Sequence, residues 1–302
     1  MSATVSPPLT LHSLLGNHAG TEALKTGRVS SPLVRFDYAD VKVINTQFKP
    51  MVRELKYDFG ELAIVTYLQA IESRKAYVLL PATILGRSQH HTIFYNADRG
   101  PLAAAGLNGK RVGVRAYSVT TGAWVRGFLA EDYGVDIASV TWVTFEDPHV
   151  AEYREPANVE RAPARKDAKQ MLLDGEIDAA ILGDVAEQGP LKHLFPDHVG
   201  EARRWAHAHG GVPINHMAVI RTGIADSRPD VVREVYRLLQ ESRAAAAVPT
   251  GDDDPLRFGV GATRQSLEQM IAYAHQQHLI SRRPSADEVF ADAVRILGAA
   301  AE

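Results

Sequence analysis

The side chains able to do chemistry sit in short polar loops between apolar runs. The clearest loop is Tyr117-Ser118-Val119-Thr120-Thr121-Gly122, between an expected strand and an expected helix. Hydroxyls and free N–H groups at a helix N-terminus favour an anion. Arg115 precedes the loop and Arg126 follows it inside the helix, and a guanidinium matches a carboxylate bidentately. Helix capping explains Ser118 or Thr120 equally well, but only one residue can take the cap position. The surplus hydroxyl, with Thr121 beside it, is what points to a ligand. The densest polar cluster is Gly86-Arg87-Ser88-Gln89-His90-His91. It reads as a cationic, proton-donating site, or as a solvated turn whose neighbouring residues point apart. Gly16-Asn17-His18, Phe59-Gly60-Glu61, Glu146-Asp147-Pro148-His149, Gly183-Asp184 and Ile214-Asn215-His216 complete the set. Thr66 follows Glu61 inside a helix-like segment. His149 and His216 each also read as satisfied structural histidines. His207 and His209 lack a carboxylate partner, and there is no HExxH or CxxC pattern, so no metal ligand set is expected.

These loops need elements to position them, and the chain alternates strand and helix. Apolar or β-branched runs at Leu9–Leu15, Val34–Val43, Tyr77–Ile84 and Thr92–Tyr95 read as strands of a first α/β unit. Helical spacing of Phe48, Met51, Val52 and Leu55 predicts a helix from a cap at Asn45 to about Lys56, and Leu62–Ile71 predicts another. Asn96–Gly109 reads as a crossing segment. Strands at Arg111–Tyr117, Val140–Phe145 and Asp178–Leu182 then alternate with helices at Thr121–Tyr133 and Arg165–Asp174. His209–Pro213 reads as a second crossing, ahead of a strand at Met217–Arg221. Three helices follow, at Pro229–Ala247, Thr263–His278 and Ser285–Ala300. The expectation is an α/β, bilobal molecule with a cleft between the lobes. Lobe I comprises residues 1–96 with 216–302, and lobe II residues 97–215. Ligands in open α/β sheets bind beyond the C-terminal strand ends, where the polar loops lie.

Composition narrows the function. The 302 residues carry 33 Lys+Arg against 36 Asp+Glu, a formal charge of −3, with no Cys. Near-neutral charge argues against a nucleic-acid partner. The absence of Cys removes disulfides, thiolate metal sites and a cysteine nucleophile. The first basic residue is Lys25, behind Pro7 and Pro8, which is not the layout of an export signal. No apolar run approaches the ~18 residues of a membrane span. A cytoplasmic protein without a membrane partner is therefore expected.

The segment Gly109-Lys-Arg-Val-Gly-Val-Arg-Ala-Tyr-Ser-Val-Thr-Thr-Gly-Ala-Trp-Val-Arg-Gly127 resembles the central motif of the 4,5-dihydroxyphthalate decarboxylase family. Glu61–Leu68, Trp142–Tyr153, Asn158–Pro163 with Gly175–Ala180, Pro213–His216 and Asp254–Gly259 match in the same order. The resemblance runs from about Leu9 to Phe290 and implies a type 2 periplasmic-binding-protein-like fold. Ser88 and Val119 depart from the family pattern, at positions where a ring substituent could be touched. The implied activity is non-oxidative decarboxylation of a hydroxylated aromatic acid, most directly 4,5-dihydroxyphthalate to protocatechuate. Such a site needs a carboxylate clamp, a proton donor and a partner for the phenol. Arg87 and Arg115 would form the clamp with Ser118, Thr120 and Thr121, and Asn17, His18, Thr66, His90 and Arg126 are further substrate-binding candidates. His91, His216 and His149, in that order, are the candidate donors. Glu61 or Asp184 would pair with the phenol. No cofactor is expected, a divalent metal is left open, and the expected assembly is a homo-oligomer. The competing readings are a non-catalytic solute-binding or sensor protein for aromatic carboxylates, and a lyase acting on a chorismate-derived acid.

Overall fold

The computed structural model describes residues 7–302. Residues 1–6, on which part of the export-signal expectation rests, lie outside the described residues. The chain opens with β1 (Leu9–Leu14), the short α1 (Glu22–Lys25), β2 (Val34–Tyr38), α2 (Phe48–Glu54), β3 (Phe59–Ala63), α3 (Ile64–Glu72) and β4 (Tyr77–Gly86). Next come β5 (Ile93–Asn96), β6 (Arg111–Val114), α4 (Thr120–Tyr133), β7 (Thr141–Thr144), β8 (Val159–Arg161), α5 (Ala168–Asp174), β9 (Ala179–Ile181), β10 (Leu191–His193) and α6 (His198–Ala208). It ends with β11 (Ile214–Arg221), α7 (Thr222–Ser227), α8 (Pro229–Ala244), α9 (Val260–Gln276) and α10 (Ala286–Leu297).

Two mixed sheets result. The first has the order β2-β1-β3-β11-β4 and the second β10-β5-β9-β6-β7-β8. Strands β1, β2 and β3 are parallel, and β11 runs antiparallel between β3 and β4. In the second sheet β9, β6, β7 and β8 are parallel, and β5 is antiparallel to both β9 and β10. The central strand β3 is buried along its whole length, and the edge strand β4 is buried at every position but Leu85. The chain leaves the first sheet at residues 87–92 and returns at 209–213, so β5, expected in lobe I, is hydrogen-bonded in the second sheet. Residues 214–215, expected in lobe II, already belong to β11. The two crossings touch, since the Arg87 N–H donates to the Pro213 carbonyl at 3.1 Å.

Local differences from expectation have local causes. Leu62–Ala63 finish β3 before the helix begins, because the segment is buried on all sides and its apolar run carries no period. Asn45 caps nothing: it lies in a 3-10 turn, and α2 begins only at Phe48. The last helices tie the lobes together. Gly127 on α4 lies against the Tyr273 ring of α9, where a Cβ would sit 2.1 Å from Cδ2. Only glycine permits that approach.

Candidate functional site

A cavity of about 210 Å³ opens between the sheets. Its polar walls are Arg87, Arg115, Thr120, Thr121, His149 and His216, with Asn45, Asp184 and Asn215. Phe48, Ala63, Leu85 and Val119 supply apolar surface. The sequence-predicted loops therefore converge, but several of their residues have other tasks.

Val119, not Ser118 or Thr120, takes the N-cap of α4, and it offers no side-chain bond to the helix. The first N–H groups of α4 thus stay uncapped beside Thr120 and Thr121 on the cavity wall, as an anion site needs. Arg87 pairs with Asp184, and its Nε is buried without a partner. Arg115 Nη1 lies 3.0 Å from Glu146 Oε2. Each guanidinium is thus held in place by a carboxylate near the cavity.

His216 is the histidine best placed for proton transfer. Its Nδ1 lies 2.6 Å from Glu61 Oε2. The Glu61 carboxylate is fully buried and accepts from the Gly16 N–H at 2.6 Å and from His18 Nε2 at 2.9 Å. Burial alone would raise its pKa, but the hydrogen bonds from His18 and His216 overcome that and hold it well below the usual carboxylate range. An ionised carboxylate only accepts, so His216 Nδ1 carries its hydrogen and Nε2 remains as the working nitrogen. Glu61 is consequently not a phenol partner. It sits behind His216 and outside the cavity lining.

His149 is different in kind. Its Nδ1 shares a 2.8 Å hydrogen bond with Thr66 Oγ1. Burial, then Arg115 and Lys49, lower its pKa to about 3, so it is a neutral hydrogen-bonding group at working pH. Thr66 is therefore its support and lines no part of the cavity. Phe48 meets both rings edge-on, with centroids 5.6 Å from His149 and 5.1 Å from His216.

Other candidates are corrected by their surroundings. His91 Nε2 lies 2.7 Å from Asp184 Oδ1, off the cavity lining. Asp184 is thus occupied by Arg87 and His91. His90 is buried, stacked on Phe128 with ring centroids 4.3 Å apart. Arg126 is buried with Nε 2.8 Å from Gln277 Oε1 and its guanidinium 3.9 Å from the Tyr117 ring centroid. Ser118 is buried outside the cavity lining, Asn17 is exposed, and His18 lies behind Glu61. Among the described residues no group of three or more His, Asp or Glu side chains is arranged to hold a metal ion.

Asn45, Asn215 and Phe48 were missed as site residues. Phe48 carried only the signal of an apolar helix face. Asn215 should point away from His216 by strand alternation, but β11 slips register against β4 between Ile214 and His216 and again before Met217. That irregularity lets both neighbours reach the cavity. Gln89 donates from Nε2 to Asn215 Oδ1, leaving the Asn215 NH2 to donate towards a ligand.

The buried histidines make the fold acid-sensitive. Burial lowers His90 to about 4, below the ~6.5 of an unfolded histidine. A depressed histidine contributes stability above the unfolded value, which is lost as pH falls towards the folded one. His90 alone should cost on the order of 3 kcal/mol between about pH 6.5 and 4. His90→Phe keeps the ring stack and removes the titration. Its melting temperature should therefore fall less steeply over that window, and an unchanged slope would count against a neutral buried His90.

No family model matches the chain. It is 28% identical over 275 residues to a 4,5-dihydroxyphthalate decarboxylase of Comamonas testosteroni, covering 79% of this chain and 83% of that protein. It is 35% identical over 170 residues to one of Pseudomonas putida, covering 52% of this chain and 66% of that protein. Among solved structures it is similar to the alkanesulfonate-binding protein SsuA of Xanthomonas axonopodis pv. citri bound to MOPS. That similarity has a TM-score of 0.60 at 13% identity, over 94% of this chain and 98% of that one. A periplasmic sulfonate-binding protein of Methylobacillus flagellatus KT gives a TM-score of 0.53 at 13% identity, over 98% and 97%. The latter two show the bilobal type 2 periplasmic-binding-protein-like fold alone. By these sequence matches, over 79% and 52% of its length, the chain is similar to 4,5-dihydroxyphthalate decarboxylases.

Proposed function

We propose that the chain decarboxylates a hydroxylated aromatic dicarboxylate without an oxidant, converting 4,5-dihydroxyphthalate to protocatechuate and CO2. The observation that carries this reading is a Glu61-backed His216 on the same cavity as the open N-terminus of α4 and two guanidinium groups. The names of the sequence relatives support it. The retained carboxylate lies against Arg115, Thr120 and Thr121, where aligned N–H groups favour negative charge. Arg87 reaches the substrate from the crossing between the sheets. Neutral His149, its Nδ1 held by Thr66, hydrogen-bonds the phenol para to the departing carboxylate.

Electron density from that phenol oxygen flows to the ring carbon bearing the departing group. This carbon takes a proton from protonated His216 Nε2. The bond to the carboxylate then breaks, its electron pair restores the aromatic ring, and CO2 leaves. The hydroxyl proton, shared with the neutral His149 ring while density moves into the ring, stays with the phenol oxygen as aromaticity returns, so the one proton consumed per turnover is the one His216 delivers to carbon. Catalysis therefore rests on positioned charge and on a general acid held in place by Glu61.

Purified protein mixed with 4,5-dihydroxyphthalate, with and without EDTA, tests this reading. Protocatechuate and CO2 are expected in both samples. Product lost only with EDTA would add a metal to the reaction. A thermal shift without product would replace the enzyme by a binder of aromatic carboxylates.

A further inference from the structure

The Glu61 carboxylate is shared by two histidines, and only one of them faces the cavity. Its oxygens lie 2.9 and 3.1 Å from His18 Nε2, and Oε2 lies 2.6 Å from His216 Nδ1. Exposure falls from 23% at the His18 side chain to 14% at His216 and 0% at Glu61. Gly16 makes the approach possible, because a Cβ there would lie 2.6 Å from His18 Nε2 and 2.8 Å from Glu61 Oε1.

We propose that His18 is a positioning residue that balances the charge of Glu61, so that His216 is oriented by the carboxylate without being locked by it as an imidazolium. This rests on the reading of His216 as the proton donor. A buried carboxylate facing one histidine holds a proton there strongly, since opposite charges a few ångströms apart favour the charged form. A donor gripped in that way releases its proton slowly. With His18 protonated on the other edge, Glu61 is already partly neutralised and its hold on the second cation weakens. The two histidines then titrate as a coupled pair through the carboxylate. The geometry agrees with the direction at His18: burial lowers its pKa, but Glu61 raises it more, and the net shift is upwards.

Other charges face the pair. Lys25 on α1, its Nζ 2.6 Å from the Leu15 carbonyl oxygen, opposes protonation of His18. His216 shares its cavity with Arg87, Arg115, Asp184 and His149, and Lys49 and Arg53 of α2 bear on the same region. The Gly16 N–H also donates to Glu61 Oε1 but carries no charge, and Lys25 feels the carboxylate without bonding to it, so His18 is the titratable cation bonded to that oxygen.

The test is His18→Gln, which keeps a donor to Glu61 and removes the titratable charge. The alkaline limb of the rate profile should move up by about 1 pH unit, with substrate affinity unchanged at the parent optimum. His18→Lys, which keeps a cation, should move it back. The imidazole resonances of ¹⁵N-labelled protein, assigned with the His216→Gln spectrum, give a readout that needs no turnover. His216 should titrate at higher pH in His18→Gln than in the parent. Titration at the same pH in both would overturn the proposal even if the protein proved inactive, whereas inactivity with the shift present would overturn only the decarboxylase reading.

Discussion

His216→Gln lowers the turnover of 4,5-dihydroxyphthalate by about 10²–10⁴-fold, the usual contribution of a positioned general acid, and leaves binding of the same acid nearly intact. The reason lies in the bonding of one ring. Glu61 fixes Nδ1 at 2.6 Å, so Nε2 is the only nitrogen of His216 left for the ring carbon. Glutamine at this position can still donate one hydrogen bond to Glu61, but it has no proton to release. A loss confined to kcat, with KM little changed, marks an interaction made in the transition state only. The parallel variants sharpen the result. His91→Gln should retain most of the rate, because His91 bonds to Asp184 outside the cavity lining. His149→Gln should lower the rate through the phenol contact but leave the alkaline limb in place, since a histidine with a pKa of about 3 is not the group that titrates there. Full activity in His216→Gln would return the donor role to His91 or to solvent.

The ranking of those three histidines was the part of the site that sequence could not order. His18, Glu61 and His216 are far apart along the chain. They meet because the sheet order places β3 between β1 and β11. The register of that pairing sets Ala63 opposite His216 and Glu61 opposite Ala218. No local pattern encodes such a neighbourhood. The anion-binding loop was legible because its signal is local, namely adjacent hydroxyls, a strand before them and a helix after. Its details still needed the structure, since Val119 takes the cap while Thr120 Oγ1 accepts from the Val65 N–H at 3.3 Å. The bilobal alternation was legible for the same reason, as each element carries its own period and stop signals. The first crossing was misplaced because β5 reads as one more strand of the first unit, and only its pairing with β9 and β10 shows otherwise. Arg126 and His90 illustrate the opposite error. Both polar residues near promising loops are buried by aromatic neighbours, Tyr117 for Arg126 and Phe128 for His90.

Arg87→Ala raises the Kd for the aromatic dicarboxylate by about 10²-fold, as loss of a charge-assisted, two-pronged contact should. Arg87 leaves the first sheet at the end of β4, and its N–H is anchored to the Pro213 carbonyl of the returning crossing at 3.1 Å. The α4 N-terminus with Thr120 and Thr121 belongs to the second sheet. A dianion held by both therefore spans the two lobes, and its binding should hold them together. The ligand-induced rise in melting temperature follows from mass action on the folded state. It should be large for the parent and small for Arg87→Ala at the same ligand concentration. Arg87→Lys should recover only part of it, because a lysine keeps the charge and loses the fork. Removing Arg87 also leaves Asp184 near the cavity with His91 as its remaining partner, so part of the loss is repulsion of the incoming carboxylate. Arg87→Ala/Asp184→Asn separates the two effects, since it should bind better than Arg87→Ala and worse than the parent. Unchanged affinity in Arg87→Ala would take Arg87 out of the clamp and leave Arg115 and the α4 N-terminus to hold the substrate from one lobe alone.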